Sequence, residues 1–215
     1  MANQRGNNQN QQSQIITRIE KLDKEIFFIL STARCRSSWF GNLFTYKDSF
    51  CFNEELRYIS YWDELVNRIG FRPEKYVGFE DPELLHYIET LYKLFPNAKY
   101  VLLERDRQEA EMSLVRSGNI PLEIVTQKFD RWYEDIEKFK TIVGEYTKLH
   151  FDDMDKLEKV REVWKYILPH SKFDIDRWHM LTALHIHVTL GHKPYPAKET
   201  SMAPYFDLSK LNDAR

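Results

Sequence analysis

Short apolar runs of strand length alternate with longer amphipathic stretches from about residue 15 onward. The run EIFFILST, residues 25–32, is typical of a strand that is covered on both faces of a parallel sheet. KYVGFE and AKYVLLE have the same character, and YTKLHF is a weaker fourth run. Strands that alternate with helices require crossover connections. The pattern therefore predicts a three-layer α/β/α fold with a mostly parallel central sheet.

Three helices are indicated by apolar residues at helical spacing. Asp81 and Pro82 have the character of an N-cap and a first-turn residue for a helix that extends to about Phe95. Two further apolar stripes cover residues 125–143 and 157–167. Each of these helices follows a predicted strand, as a βαβ arrangement requires.

The first residues of the chain differ in composition from the rest. Residues 1–14, MANQRGNNQNQQSQ, are almost wholly polar and have no apolar periodicity. Such a segment has little to bury that would offset its ordering entropy. We therefore predict a disordered tail over residues 1–14 and a single α/β domain over residues 15–215.

The charge balance argues against several classes of partner. The chain has 31 Lys and Arg against 33 Asp and Glu, so no global basic field indicates nucleic acid or an anionic membrane. No apolar segment approaches the roughly 20 residues of a membrane-spanning helix, and no signal-peptide pattern is present. We expect a soluble, cytoplasmic protein with two reduced cysteines, Cys35 and Cys51, and the oligomeric state stays open.

The turn after the first predicted strand carries arginines and hydroxyls. Residues 31–38, STARCRSS, would connect that strand to a helix containing Trp39, Leu43 and Phe44. Ligands of such folds bind at the carboxyl ends of the strands, and a helix N-terminus favours an anion. With guanidinium groups and hydroxyls as added donors, the turn predicts a phosphate site. The alternative is a solvated turn with incidental arginines, since the Gly-x4-Gly-Lys-Ser/Thr pattern of nucleoside triphosphatases is absent.

A second stretch points to another phosphate. Arg105 directly follows a predicted strand, and Ser113 lies eight residues later on a helix that Asp106 would cap. Ser113 lies seven residues after Asp106, which is about two helical turns, so it would face the same side as the start of the helix. Arg105 and Ser113 together are therefore candidates for binding a phosphate. The alternative is that Arg105 merely pairs with an acid such as Glu109.

Together the two stretches resemble sulfotransferases that use 3′-phosphoadenosine 5′-phosphosulfate, particularly their small bacterial and phage-like members. ILSTARCRSSWFGNLF is similar to the 5′-phosphosulfate loop of that family, and YVLLERDRQEAEMSLVRSG to its 3′-phosphate segment. LHFDDMDKLEKVREVWKYI and FDIDRWHML resemble later segments, so the likeness covers roughly residues 25–181. It implies a P-loop-nucleotide-hydrolase-like fold and sulfuryl transfer to a hydroxyl or amine, without a metal.

The resemblance also implies roles for single residues. Arg34 would hold the 5′-phosphosulfate and stabilise charge on the bridging oxygen, and Arg105 and Ser113 would bind the 3′-phosphate. The residues of the donor-binding loop would be Arg34, Cys35, Arg36, Ser37, Ser38 and Trp39, with the two serines donating to phosphate.

Three positions of the loop depart from the family pattern. Arg36 stands where the family usually has Gly, which allows a positive φ, and Ala33 stands where Pro is frequent. Cys35 replaces a usual Ser, and we interpret it as a small filler rather than a reactive thiol.

The reaction also needs a base for the acceptor's proton. Small members of the family often carry a glutamate about twenty residues after the loop arginine, sometimes in a His-Glu pair. Here FCFNEELR has Asn53 in place of the histidine, followed by Glu54 and Glu55. The likeness indicates Glu54 as the base and Glu55 as the second candidate. A solvated acidic helix start is the alternative.

Near the end of the likeness, Arg177 and Trp178 have two interpretations: contact with the nucleotide, or docking of the last helix. His185, His187 and His192 are interpreted as surface or packing residues, because His-x-His spacing suits a strand face better than a helix face.

The function that the resemblance implies has two competitors. The acceptor would be a small molecule, a carbohydrate or a peptide. One competitor is a nucleotide or small-molecule kinase of P-loop type, which would require magnesium and a loop lysine that ARCRSSW lacks. The other is a protein that binds the nucleotide without turnover, which the substitution at Arg36 would explain.

Overall fold

The computed structural model describes residues 13–183. Their sheet has five parallel strands in the order β2-β3-β1-β4-β5. The strands are β1 (Glu25–Ser31), β2 (Ser49–Asn53), β3 (Tyr76–Glu80), β4 (Lys99–Glu104) and β5 (Thr147–His150). The predicted α/β fold with a parallel central sheet is confirmed.

Helices connect and flank the strands. They are α1 (residues 13–20), α2 (Ser37–Phe44), α3 (Trp62–Phe71), α4 (Ile88–Leu94), α5 (Arg107–Gly118), α6 (Leu122–Ile142), α7 (Leu157–Ile167) and α8 (Ile175–Ala183). Short 3₁₀ helices cover Glu55–Tyr58, Pro82–Tyr87 and Phe151–Asp153. In residues 13–183, none of these helices has the length and apolar character required to cross a bilayer.

Two apolar clusters lie on opposite faces of the sheet and give the three layers. Phe28 and Leu30 of β1 belong to a cluster with α3, α4 and α6, whereas Phe27 and Ile29 belong to a cluster with α2, α7 and α8. Because alternate side chains of a strand point to opposite faces, β1 is covered on both sides. This explains why its sequence is continuously apolar.

The chain leaves the sheet in opposite directions after two neighbouring strands. After β1 it continues into α2 on one face, and after β3 it continues into α4 on the other face. A crevice forms where such connections diverge, at the carboxyl ends of the strands. The predicted phosphate loop lies at this edge.

Two elements differ from the sequence-based expectations. β2, SFCFN, is a fifth strand with all five residues buried. The helix predicted from Asp81 to Phe95 begins as a 3₁₀ helix, Pro82–Tyr87, before α4, although Asp81 caps it by accepting from the Glu83 N–H at 3.0 Å. The helices predicted over 125–143 and 157–167 are confirmed by α6 and α7.

The boundary predicted after residue 14 lies inside α1. Ser13 and Gln14 are already helical, because the helix seats Ile15 in the core with only 7% of its surface exposed. The rest of the predicted tail, residues 1–12, lies outside the described residues, as do His185, His187 and His192.

Candidate functional site

The loop between β1 and α2 makes two left-handed backbone steps. Arg34 has φ 70° and Arg36 has φ 58°, and Arg36 is the N-cap residue of α2. A left-handed residue other than glycine costs roughly 1–2 kcal/mol, which explains a glycine preference at such a position. No described side chain caps α2. The first-turn N–H groups of α2 can therefore donate to an anion.

The two predicted phosphate stretches meet at this loop. The Arg34 Nε donates to the Ser113 Oγ at 3.1 Å, and the Arg105 Nη1 donates to the Arg34 carbonyl oxygen at 2.9 Å. Arg105 also lies 3.5 Å from the Glu109 carboxylate, as the simpler interpretation expected. The structure therefore brings Arg34, Arg105 and Ser113 together across 79 residues of sequence.

Phe151, the first residue after β5, organises the arginines. The guanidinium carbon of Arg105 lies 3.9 Å from the centroid of its ring, and that of Arg36 lies 4.4 Å from the same centroid. Arg36 also pairs with Asp155 at 3.0 Å. Phe151 was missed as a site residue in the sequence, although its position at the carboxyl end of a strand is the signal that marks it.

Several donors at this edge have unused capacity. Among residues 13–183, no hydrogen-bond partner is present for the buried Nε atoms of Arg36 and Arg105 or for the buried Oγ of Ser31. Buried polar groups are normally satisfied, so unpaired donors beside three guanidinium groups fit a multiply charged anion. These residues are therefore suited to hold phosphate or sulfate groups.

The other residues predicted to bind the donor differ in their burial. Ser37 is buried, Ser38 is half-buried, and Trp39 packs in the core against Phe40 with ring centroids 5.1 Å apart. Burial raises the pKa of the Cys35 thiol to about 11, so the group stays protonated near neutral pH. This agrees with its interpretation as a small filler.

A buried acid lies behind the loop. Glu80 ends β3 and has none of its surface exposed. Burial raises its pKa to about 8, and the nearby Ser37 hydroxyl opposes this shift in part. Its backbone oxygen accepts from the Glu54 N–H at 2.7 Å. Glu80 therefore adjoins both the predicted base and the connection between β1 and α2, residues 32–36, which we call the anion loop after its predicted role.

The two candidates for the base, Glu54 and Glu55, lie in different surroundings. Glu55 is buried and forms an ion pair with Arg68 of α3. Glu54 is half-buried, has φ 50°, and lines a cavity of about 610 Å³ that also reaches Ala33 of the loop. Of the two residues, Glu54 lines the cavity that reaches the anion loop, and Glu55 is not among the lining residues.

The last described helix docks on the domain. The Arg177 Nη2 donates to the carbonyl oxygens of Asn42 and Thr45 at 2.5 and 2.7 Å, and Trp178 is 6% exposed within the core. Docking, one of the two interpretations of this segment, is therefore what the structure shows.

The chain was compared with family models, with curated proteins and with solved structures. No family model matches the chain, and no curated protein matches it. Among solved structures, the chain is similar to a sulfotransferase from Alicyclobacillus acidocaldarius. The TM-score is 0.52 at 19% identity, over 75% of this chain and 91% of that chain. The chain therefore has a sulfotransferase-like α/β fold.

Proposed function

We propose that this protein transfers a sulfuryl group from 3′-phosphoadenosine 5′-phosphosulfate to a hydroxyl or amine acceptor. The observation that carries the proposal is the contact of Arg34 with Ser113 and of Arg105 with the Arg34 carbonyl oxygen. These contacts place Arg105 and Ser113 next to the anion loop. A ligand with phosphate groups at two separate positions requires two such neighbouring sets of donors. The sulfotransferase-like fold supports the same function.

The donor's two charged ends fit different residues. The 5′ end suits the N-terminus of α2 with Arg34, Ser37 and Ser38, where N–H groups, hydroxyls and a guanidinium group converge. The 3′-phosphate suits Arg105 and Ser113 on the neighbouring β4–α5 crossover. In this assignment the Ser113 hydroxyl donates to the 3′-phosphate, while its oxygen keeps or gives up the hydrogen bond that it accepts from the Arg34 Nε.

The chemistry divides between the loop and the cavity. The donor supplies a sulfuryl group, whose bond to the phosphate oxygen breaks as a bond to the acceptor oxygen or nitrogen forms. Arg34 and the α2 N-terminus stabilise the negative charge left on the phosphate. Glu54, in the wall of the adjoining cavity, takes the acceptor's proton. Positioning and charge neutralisation thus supply most of the rate.

Nucleotide binding tests the first half of the proposal. Adenosine 3′,5′-bisphosphate should raise the melting temperature without magnesium, because protein groups supply all the counter-charge. Ligand at ~100 times its Kd should add about 2.7 kcal/mol to the free energy of unfolding. A shift only with ATP and magnesium would contradict the proposal in favour of a kinase.

Transfer tests the second half. With ³⁵S-labelled donor, label should appear in an acceptor and the bisphosphate should accumulate in equal amount. Binding of the bisphosphate without transfer to any phenol, sugar, amine or tyrosine peptide would instead support a non-catalytic nucleotide-binding protein.

A further inference from the structure

The cavity beside the anion loop has the size of a small-molecule site. Its volume is about 610 Å³, within the roughly 300–1,000 Å³ of typical ligand pockets. Ala33 of the anion loop and Glu54 both line the cavity, so an occupant can lie beside both the anion loop and the proposed base. The lining also includes Tyr61, which is 72% exposed.

Aromatic side chains make up much of the cavity wall. Trp62 and Tyr87 meet edge to face with ring centroids 5.9 Å apart, and both line the cavity with Trp132. Trp132 is fixed in turn by stacking on His86, with ring planes 6° apart. Rings held in this way favour a flat apolar ligand, which can stack or meet them edge to face.

The charges in the wall are predominantly negative. Among the described residues that line the cavity, Glu54, Asp81 and Glu83 are acids and the exposed Lys128 is the single base. Asp81 is fixed by N–H groups of Leu56 and Glu83, so its carboxylate stays at the wall. A ligand with its own negative charge would be repelled there, more strongly than in bulk water because the wall is partly buried.

One buried donor in the wall has no acceptor. Trp132 is 4% exposed, and its indole Nε1–H has no hydrogen-bond partner among residues 13–183. Leaving such a donor unpaired costs free energy, so an occupant with a well-placed oxygen gains affinity.

We propose that this cavity selects a hydroxylated aromatic acceptor that is neutral or cationic and that offers an ether, hydroxyl or carbonyl oxygen to Trp132. The inference rests on the proposed function. The aromatic hydroxyl is the nucleophile: its oxygen bonds to sulfur, its proton passes to Glu54, and the sulfur–oxygen bond to the donor phosphate breaks. The products are an aryl sulfate and adenosine 3′,5′-bisphosphate.

A matched series of phenols tests the charge preference. Tyramine, 4-propylphenol and 3-(4-hydroxyphenyl)propanoate differ mainly in the charge at the end of the same short chain. We expect kcat/KM to be at least about tenfold lower for the propanoate than for the other two, through repulsion by the acidic wall. Glu83→Gln should narrow that ratio, whereas Glu137→Gln, on the remote exposed face of α6, should leave it unchanged.

A second pair of phenols tests the Trp132 donor. 3-Methoxyphenol and 3-ethylphenol have similar shapes, but only the first has an ether oxygen. Wild type should favour the methoxy compound roughly fivefold in kcat/KM, the equivalent of one hydrogen bond. Trp132→Phe should reduce the ratio to about one. The ratio within one variant does not depend on how much of the protein is folded.

Three outcomes would overturn the inference: preference for the propanoate, an unchanged methoxy-to-ethyl ratio in Trp132→Phe, or transfer to sugars but to no phenol. Each of these still includes bisphosphate binding and sulfuryl transfer, so the proposed function would stand. Absence of bisphosphate binding, or of transfer to any acceptor, would instead refute the proposed function itself.

Discussion

Arg105 ties the end of β4 to the anion loop through its guanidinium group. It donates to the Arg34 carbonyl oxygen, lies over the Phe151 ring, and keeps a buried Nε without a partner in the described part of the chain. One side chain therefore fixes the loop and retains a donor for a ligand. A substitution of Arg105 can distinguish binding of a 3′-phosphate from the role of Arg105 in positioning the loop.

Arg105→Ala should weaken adenosine 3′,5′-bisphosphate far more than adenosine 5′-phosphate. Loss of a buried, charged hydrogen-bond partner costs roughly 2–5 kcal/mol, and only the bisphosphate presents the second phosphate. Titration calorimetry with both nucleotides measures the difference. Arg105→Lys keeps the positive charge but lacks the paired N–H donors of the guanidinium group, so it should lose an intermediate amount of bisphosphate affinity. Equal losses for both nucleotides would show that Arg105 acts only on the loop.

Glu54 and Glu55 are adjacent in sequence but should fail in different ways. Glu54→Gln keeps the shape and removes the basicity, so turnover should fall by roughly 10²- to 10⁴-fold while bisphosphate affinity survives. Glu55→Gln should instead lower the free energy of unfolding, because it leaves Arg68 without its buried counter-charge. Steady-state rates and urea melts separate the two effects. Normal turnover of Glu54→Gln would remove Glu54 as the base.

At the level of elements, β1 and β3 depend on one close approach. An atom added as a Cβ at Gly78 would lie 2.0 Å from Cε2 of Phe27, whose ring is 1% exposed. The β1–β3 pair also carries the anion loop and Glu80 at its carboxyl end. The packing of these two strands therefore determines the position of the site.

Gly78→Ala should destabilise the fold by roughly 1–3 kcal/mol, the usual cost of overpacking a core. Urea unfolding should show a lower midpoint with an unchanged slope. Gly144→Ala is the matched control, because nothing lies within 4 Å of a Cβ there. A wild-type midpoint for Gly78→Ala would mean that the Phe27 ring has room to move.

The elements that the sequence predicts well are those whose signal is local. β1, β3 and β4 are continuous apolar runs because both faces are covered, and α6 and α7 keep a helical stripe. β2 was missed because SFCFN has polar residues at both ends and only three apolar residues between them. The anion loop was predicted from its arginines and hydroxyls, which are neighbours in the sequence. Phe151 and Glu80 were missed because strand order, which no local pattern encodes, brings them to the loop.

Across the whole molecule, Glu80 makes the stability of the fold depend on pH. The Glu80 carboxyl is fully buried. Its titratable neighbours are Asp81 and Cys51, and neither carries a positive charge that would stabilise the ionised form of Glu80. Its pKa is about 8 in the folded state against 4.5 as the ordinary value. Between these two pH values the folded state holds a proton that the unfolded state has lost.

Unfolding free energy should therefore fall as pH rises from about 4.5 to about 8, by at most about 1.4 kcal/mol per pH unit from this group. The glutamine of Glu80→Gln is neutral at every pH, so the variant lacks this pH dependence. Its unfolding free energy relative to wild type should therefore rise between about pH 4.5 and 8 and level off above pH 8. Urea melts of both proteins at pH 5, 6, 7 and 8 give the difference, with the exposed Glu89→Gln as control. A constant difference between Glu80→Gln and wild type would mean that Glu80 is already ionised in the fold. Ser37 and the anion loop would then lie beside a negative charge, and a phosphate-binding role for α2 would become hard to defend.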